Sequence, residues 1–246
     1  MRQLTLLKII SLFICIIFIS SCKKDNACDC IKRTGTIETS KRWVKDFDRI
    51  YLKDNVNVFI TQGPEFDVEV EAGKNVGWLI GTEVNDGELV ITNKNRCNWT
   101  RSYDKPLNVY IQMPSIKYIT SDGTGDIKGL NTITTDNFDI QIKNSGNIEL
   151  TVNNNSVTSR VFGYGDINLS GTTHEHDVDI GGSSFLNCQN LHTDITYVHS
   201  FTTGNCYVNA TSSLLCYIEL NGDIHCTGNP ASVEKKITGD GHLYFE

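Results

Sequence analysis

Apolar and polar residues in the second half of the chain follow a repeating phrase. Aligned, it reads GTGDIKG (123–129), NSGNIEL (144–150), GYGDINL (163–169), GSSFLNC (182–188), TTGNCYV (202–208), LNGDIHC (220–226) and GDGHLYF (239–245). The third positions are residues 125, 146, 165, 184, 204, 222 and 241, spaced 21, 19, 19, 20, 18 and 19 apart. Such spacing falls in the range of solenoid repeats, in which each unit buries its apolar face only by stacking on its neighbours. Six of the seven third positions are glycine: Gly125, Gly146, Gly165, Gly204, Gly222 and Gly241, with Ser184 the exception. A sharp turn favours a residue that tolerates positive φ, so these glycines are expected at the turns. The Asp or Asn that follows is expected to bond to local backbone. The aliphatic residue after it (Ile127, Ile148, Ile167, Leu186, Ile224, Leu243) is expected to point inward.

Each phrase is preceded by a segment of alternating polarity, such as FDIQI (138–142), HDVDI (176–180) or LLCYIEL (214–220), the mark of a strand with one buried face. IYLKDNVNVFI (50–60) has the outline of one more coil, and TEVNDGELVIT (82–92) carries a tight turn at Asp86-Gly87. The pattern predicts an all-β parallel β-helix with about 19–20 residues per coil, its rungs roughly 4.8 Å apart. Strand-rich residues 35–120 are expected to run without a linker into the Gly-punctuated coils of 121–246.

The first residues change the picture of where the chain resides. Arg2, Lys8 and the apolar run Ile9 to Ile19 form an export signal over 1–21, and Ile19-Ser20-Ser21-Cys22 fits a bacterial lipobox. Cys22 is therefore the expected lipid attachment site, residues 22–34 a tether, and the membrane, through that anchor, the first partner. The expected location is the outer membrane, facing the periplasm or the cell surface. Residues 121–246 hold 5 basic and 15 acidic side chains, which argues against nucleic-acid binding.

Seven cysteines remain after Cys15 and Cys22. Cys97 is expected to form a disulfide with Cys28 or Cys30, while Cys188, Cys206, Cys216 and Cys226 fall in the repeat register and read as buried thiols. Asp126, Asp166 and Asp223 recur in one slot, but Asn147, Phe185, Asn205 and His242 share it, and a catalytic pair has no reason to repeat in this way. No catalytic residue, cofactor or metal ligand is therefore expected. Calcium along the Asp line is the cation to consider, although the nonapeptide of calcium-binding β-rolls is missing. THEHD (173–177) would set His174 and His176 on one side of an exposed strand start, too few ligands for zinc. Trp78, Trp99, Tyr103, Tyr110, Tyr164, Tyr197, Tyr207 and Tyr217 are candidates for contacts with sugars or proteins.

FDRIYLKDNVNVFITQG, VEAGKNV, NDGELVITNKNRCNW and the serial GxGDI phrases together resemble the head GIN domain family, bacterial envelope proteins regarded as auto-transporter adhesins. The resemblance spans about residues 42–242 and implies a right-handed parallel β-helix with an adhesin-like or envelope-structural role. GSSFLNC departs from the pattern, so a bulge or a local patch is expected in that coil. The expectation is a non-catalytic, lipid-anchored envelope protein whose partner is an envelope or host glycan or protein. The alternative is a carbohydrate-active enzyme of the polysaccharide lyase or hydrolase kind.

Overall fold

The computed structural model describes residues 32–95 and 104–246, and they form sixteen strands joined in one sheet. The first eight are β1 (Ile37–Arg42), β2 (Arg49–Asp54), β3 (Asn57–Gln62), β4 (Asp67–Gly73), β5 (Ile80–Asn85), β6 (Glu88–Asn93), β7 (Asn108–Met113) and β8 (Tyr118–Gly123). A 3-10 turn, Gly77–Leu79, precedes β5. Long bent strands follow: β9 (Ile127–Ile142), β10 (Ile148–Val161), β11 (Ile167–Gly182), β12 (Leu186–Thr202) and β13 (Cys206–Ile218). The chain finishes with β14 (Ile224–Thr227), β15 (Ser232–Ile237) and β16 (Leu243–Phe245). From β8 onward all pairing is parallel, in a β-solenoid of about 7 turns with about 19 residues per turn.

The register follows the phrase. Val58 pairs with Ile127, and then Ile148, Ile167, Leu186, Cys206, Ile224 and Leu243 succeed one another in adjacent coils. This is one stacked interior column, buried until it reaches half-buried Leu243 at the last coil. Each buried aliphatic side chain contributes about 1.5–3 kcal/mol, which is why no coil is stable alone.

The interior changes character along the axis. Early coils are filled mainly by Ile, Leu and Val, with Thr120 and Ser121 buried in β8, whereas Ser159, His176, Thr193, Thr196, Ser200 and Thr202 are buried in the later ones. Cys188, Cys206, Cys216 and Cys226 are buried free thiols within that later interior. Burial pushes the Cys206 thiol up to about 12 and Cys216 to about 11, and raises Cys188 and Cys226 as well. They pack as small apolar groups rather than nucleophiles.

The glycines at the third position do not serve positive φ. Positive-φ glycines are Gly35, Gly87, Gly171, Gly182 and Gly228, and the six repeat glycines are not among them. Close approach between coils is what requires them. A Cβ on Gly146 would lie 2.1 Å from the carbonyl oxygen of Gly125, and one on Gly165 would lie 2.2 Å from that of Gly146. Gly222 and Gly241 meet the oxygens of Gly204 and Gly222 in the same way. The glycines form a column in which backbone stacks on backbone.

Ser184 occupies the same slot, fully buried, and its Oγ donates to the Gly163 carbonyl at 3.0 Å. The expected bulge lies just beyond it: Asn168 pairs with Asn187, but Ser170 pairs with Asn190, so the extra residue emerges between them.

Coil order at the start of the solenoid departs from chain order. The rung made by β2 and β3 lies inside, between the β8–β9 rung on one side and the later β6 and β7 on the other. Antiparallel β5, β4 and β1 then close that end. β1 presents the mostly exposed sequence IETSKR to solvent, a polar edge that resists further strand pairing.

Candidate functional site

In each phrase the third and fifth residues face inward, and the fourth and sixth face outward. Two outward lines therefore run the length of the solenoid, two residues apart on the same wall. Their chemistry differs.

The fourth-position line is spent largely on the backbone. Asn57 Oδ1 accepts from the Asp126 amide (3.2 Å), Asp126 Oδ1 from Asn147 (2.9 Å), Asn147 Oδ1 from Asp166 (2.9 Å) and Asp166 Oδ1 from Phe185 (2.8 Å). Phe185 has no side-chain acceptor. The ladder resumes with Asn205 Oδ1 accepting from Asp223 (3.2 Å) and Asp223 Oδ1 from His242 (2.8 Å). The expected bond to local backbone is thus replaced by one to the next coil. It satisfies an amide that faces outward at a corner, where no strand partner is available.

The sixth-position line is Lys128, Glu149, Asn168, Asn187, Tyr207, His225 and Tyr244, extended at its start by Phe59 and Tyr110. Phe59 and Tyr110 are stacked at 5.0 Å, and the Tyr110 hydroxyl donates to Glu71 (3.2 Å). Burial, with Glu71 beside it, raises the Tyr110 pKa. Lys128 Nζ bonds both oxygens of Glu149 at 3.0 Å, and Asn187 donates to Asn168 Oδ1 at 2.8 Å. His225 lies between Tyr207 (4.8 Å) and Tyr244 (5.2 Å) in a stacked trio, with its Nδ1 2.7 Å from Glu246. Side chains on this line bond other side chains, on the line or beside it, and leave the backbone alone.

Between the two lines lies a groove of about 420 Å³, bordered by Phe59, Asp126, Lys128, Asn147, Asp166 and Asn168. Tyr110 and Tyr207 were legible as aromatic candidates. Phe59, Asn168 and His225 were missed, although counting to the sixth residue of each phrase would have found the last two. Trp78 is half-exposed in the 3-10 turn and Tyr164 is exposed at a corner. Trp99, Tyr103, Cys22, Cys28, Cys30 and Cys97 lie outside the described residues, and with them the lipid site and the proposed disulfide.

The second outward wall is charged. His199 bridges two carboxylates on flanking coils, with Nδ1 3.0 Å from Asp179 and Nε2 2.9 Å from Glu219, and it stacks on Tyr217 at 5.1 Å. Burial opposes protonation, but the two carboxylates outweigh it and the His199 pKa is raised. The hydrogen bond from His199 in turn lowers that of Glu219.

The THEHD segment turns a corner, so its alternation slips by one residue. His174 is exposed and bonds Asp194 at 2.7 Å, whereas His176 is buried in the interior, 2.9 Å from Ser159 Oγ. Burial drives the His176 pKa down to about 4. The two histidines do not share a face, contrary to expectation. Among the described residues no three His, Cys, Asp or Glu side chains are placed to hold a metal ion.

Fold and surface together define a solenoid wall of side chains in registered lines. Residues 46–230 match the family described as "putative auto-transporter adhesin, head GIN domain", and the chain belongs to it. Among solved structures, a "putative adhesin" from Bacteroides fragilis is 24% identical with a TM-score of 0.82, covering 87% of this chain and 100% of its own. Two Parabacteroides distasonis proteins, each 20% identical over 87% of this chain and 100% of their own, superimpose with lower scores. One is a "putative lipid binding protein" (TM-score 0.69) and the other a "putative adhesin" (0.66). At these identities the likeness establishes the fold. No curated protein matches the chain.

Proposed function

We propose that the protein is a lipid-anchored, non-catalytic component of the bacterial outer membrane that binds its partner along the outward wall of the solenoid. Family membership supports an adhesin role, and the lipobox ending at Cys22 supports the anchor. The observation that carries the non-catalytic reading is the fate of the recurring carboxylates. Asp126, Asp166 and Asp223 each hold Oδ1 on the backbone of the next coil, as Asn147 and Asn205 do in the same slot, so the recurrence of the carboxylate has a structural cause that needs no chemistry.

Two experiments test this reading. A fatty-acid probe is expected to label the wild-type protein in cells and to spare Cys22→Ala; equal labelling of both would remove the anchor. Polysaccharide substrates incubated with the protein are expected to stay intact. Turnover that disappears in a folded Asp166→Asn variant would restore the enzyme reading. Protease accessibility on intact cells then distinguishes the surface from the periplasmic face.

A further inference from the structure

We infer that the groove between the two outward lines is a binding site for an unbranched neutral glycan lying along the solenoid axis. This rests on the proposed binding role of the wall and adds the class of ligand.

The groove offers the three elements that recognise a sugar. Phe59 is an aromatic platform, held rigid by its stacking on Tyr110, against which the C–H face of a pyranose ring can pack. Polar groups of both kinds line the walls. Asp126 and Asp166 keep their second oxygen, Oδ2, outside the backbone ladder as an acceptor. Asn147 and Asn168 are bonded through Oδ1, which turns their amide nitrogens into the available donors. A sugar hydroxyl both donates and accepts, so it can satisfy an alternating series of acceptors and donors. Repetition of these groups at the coil spacing of roughly 4.8 Å suits a polymer of hexose units better than a single compact molecule.

Charge and backbone pairing exclude the competing occupants. Asp126, Glu149 and Asp166 against Lys128 leave the groove negative, and Lys128 is already held by Glu149, so an anionic glycan, a phosphate or nucleic acid would be repelled. An extended peptide would need an unpaired strand edge, whereas the strands forming this wall are paired on both sides. The second aromatic group on the same line, Tyr207 with His225 and Tyr244, stands five rungs from Phe59, or about 24 Å. A chain long enough to span that distance touches both platforms.

The test uses the full protein, with neutral and acidic oligosaccharides of graded length on an array and then by titration calorimetry. Neutral chains are expected to bind, with affinity rising with length until both platforms are spanned. Phe59→Ala and Asn168→Ala are each expected to weaken binding roughly five- to tenfold, the scale of one lost ring or hydrogen-bonding contact. Tyr207→Ala should weaken only the longer chains. Tyr217→Ala, beside His199 on the second wall and outside the groove lining, removes a ring as a control and should change nothing. Circular dichroism and unfolding midpoints confirm that each variant is folded. Preference for acidic chains, or neutral binding untouched by Phe59→Ala and Asn168→Ala, overturns the inference. If the protein still adheres to cells with the groove variants intact in adhesion, the binding role stands and the glycan site falls; if no adhesion to any cell or glycan is found, both fall.

Discussion

Positions four and six of the repeated phrase stand two residues apart, face the same solvent and differ in what they bond. At position four, Asp126, Asn147, Asp166 and Asp223 reach along the axis to the amide of the next coil. At position six, Lys128, Asn168, Tyr207 and His225 meet only other side chains. One line is tied into the fold through Oδ1, and the other makes no bond to the backbone. A recurring carboxylate is thus a poor guide to chemistry in a solenoid, because recurrence is what a structural ladder requires. Sites are better sought where side chains are not committed to the backbone, and position six, which runs from lysine to amide to aromatic, is such a place.

The sharpest way to break this comparison is at position three. Gly165→Ala drives a methyl into the Gly146 carbonyl, an unyielding backbone atom, and is expected to cost about 3 kcal/mol or more in denaturant unfolding. A loss under about 1 kcal/mol would mean that the glycine column is not in close contact. Acid stability comes next in size. His176 is buried with its pKa lowered to about 4, so the unfolded chain takes up its proton first. Stability should therefore fall as pH drops from about 6.5 toward 4, by roughly 3 kcal/mol from this residue, and level off below. His176→Gln should flatten that part of the profile; an unchanged slope would place the titration elsewhere. His199 acts in the opposite sense, since its raised pKa gives stabilisation that is present at low pH and fades as pH rises through that value.

Smaller effects separate the two outward lines. Asp223→Ala strips the outward-facing His242 amide of its acceptor and is expected to cost about 1 kcal/mol, the net worth of one hydrogen bond. Asp223→Asn should restore most of it, because Asn57, Asn147 and Asn205 already do this work in other coils. Equal losses in both variants would show that charge, not the hydrogen bond, matters there. Smallest of all, Asn168→Ala should leave stability within about 0.5 kcal/mol of wild type, as expected for an outward residue outside the backbone ladder.

The coil period, the inward column through Ile127, Ile148 and Ile167, and the buried cysteines were legible because a repeated unit prints its register directly in the sequence. The reason for the glycines was not. Steric contact between residues about 19 apart leaves the same mark as a turn that needs positive φ. Coil order at the start was hidden for a related reason: β2 and β3 pair with β6 and β7 across long connections, and nothing local reports which side of a rung a later strand will take. His176 was misplaced because alternation slips at a corner, and one slipped residue exchanges inside for outside. The groove is not legible in the sequence because Phe59 belongs to an early coil that lacks the glycine phrase, and only strand pairing puts it in line with Lys128.

Paired measurements on Asp223→Ala and Phe59→Ala, taking unfolding free energy and neutral-oligosaccharide affinity from the same samples, test the division of labour most directly. The expected result is a crossed one: Asp223→Ala loses stability and keeps affinity within about twofold, while Phe59→Ala keeps most of its stability and loses affinity roughly five- to tenfold. If Asp223→Ala weakened binding while Phe59→Ala left it untouched, the assignment of the Asp223 bond to the fold and of Phe59 to the ligand would be contradicted.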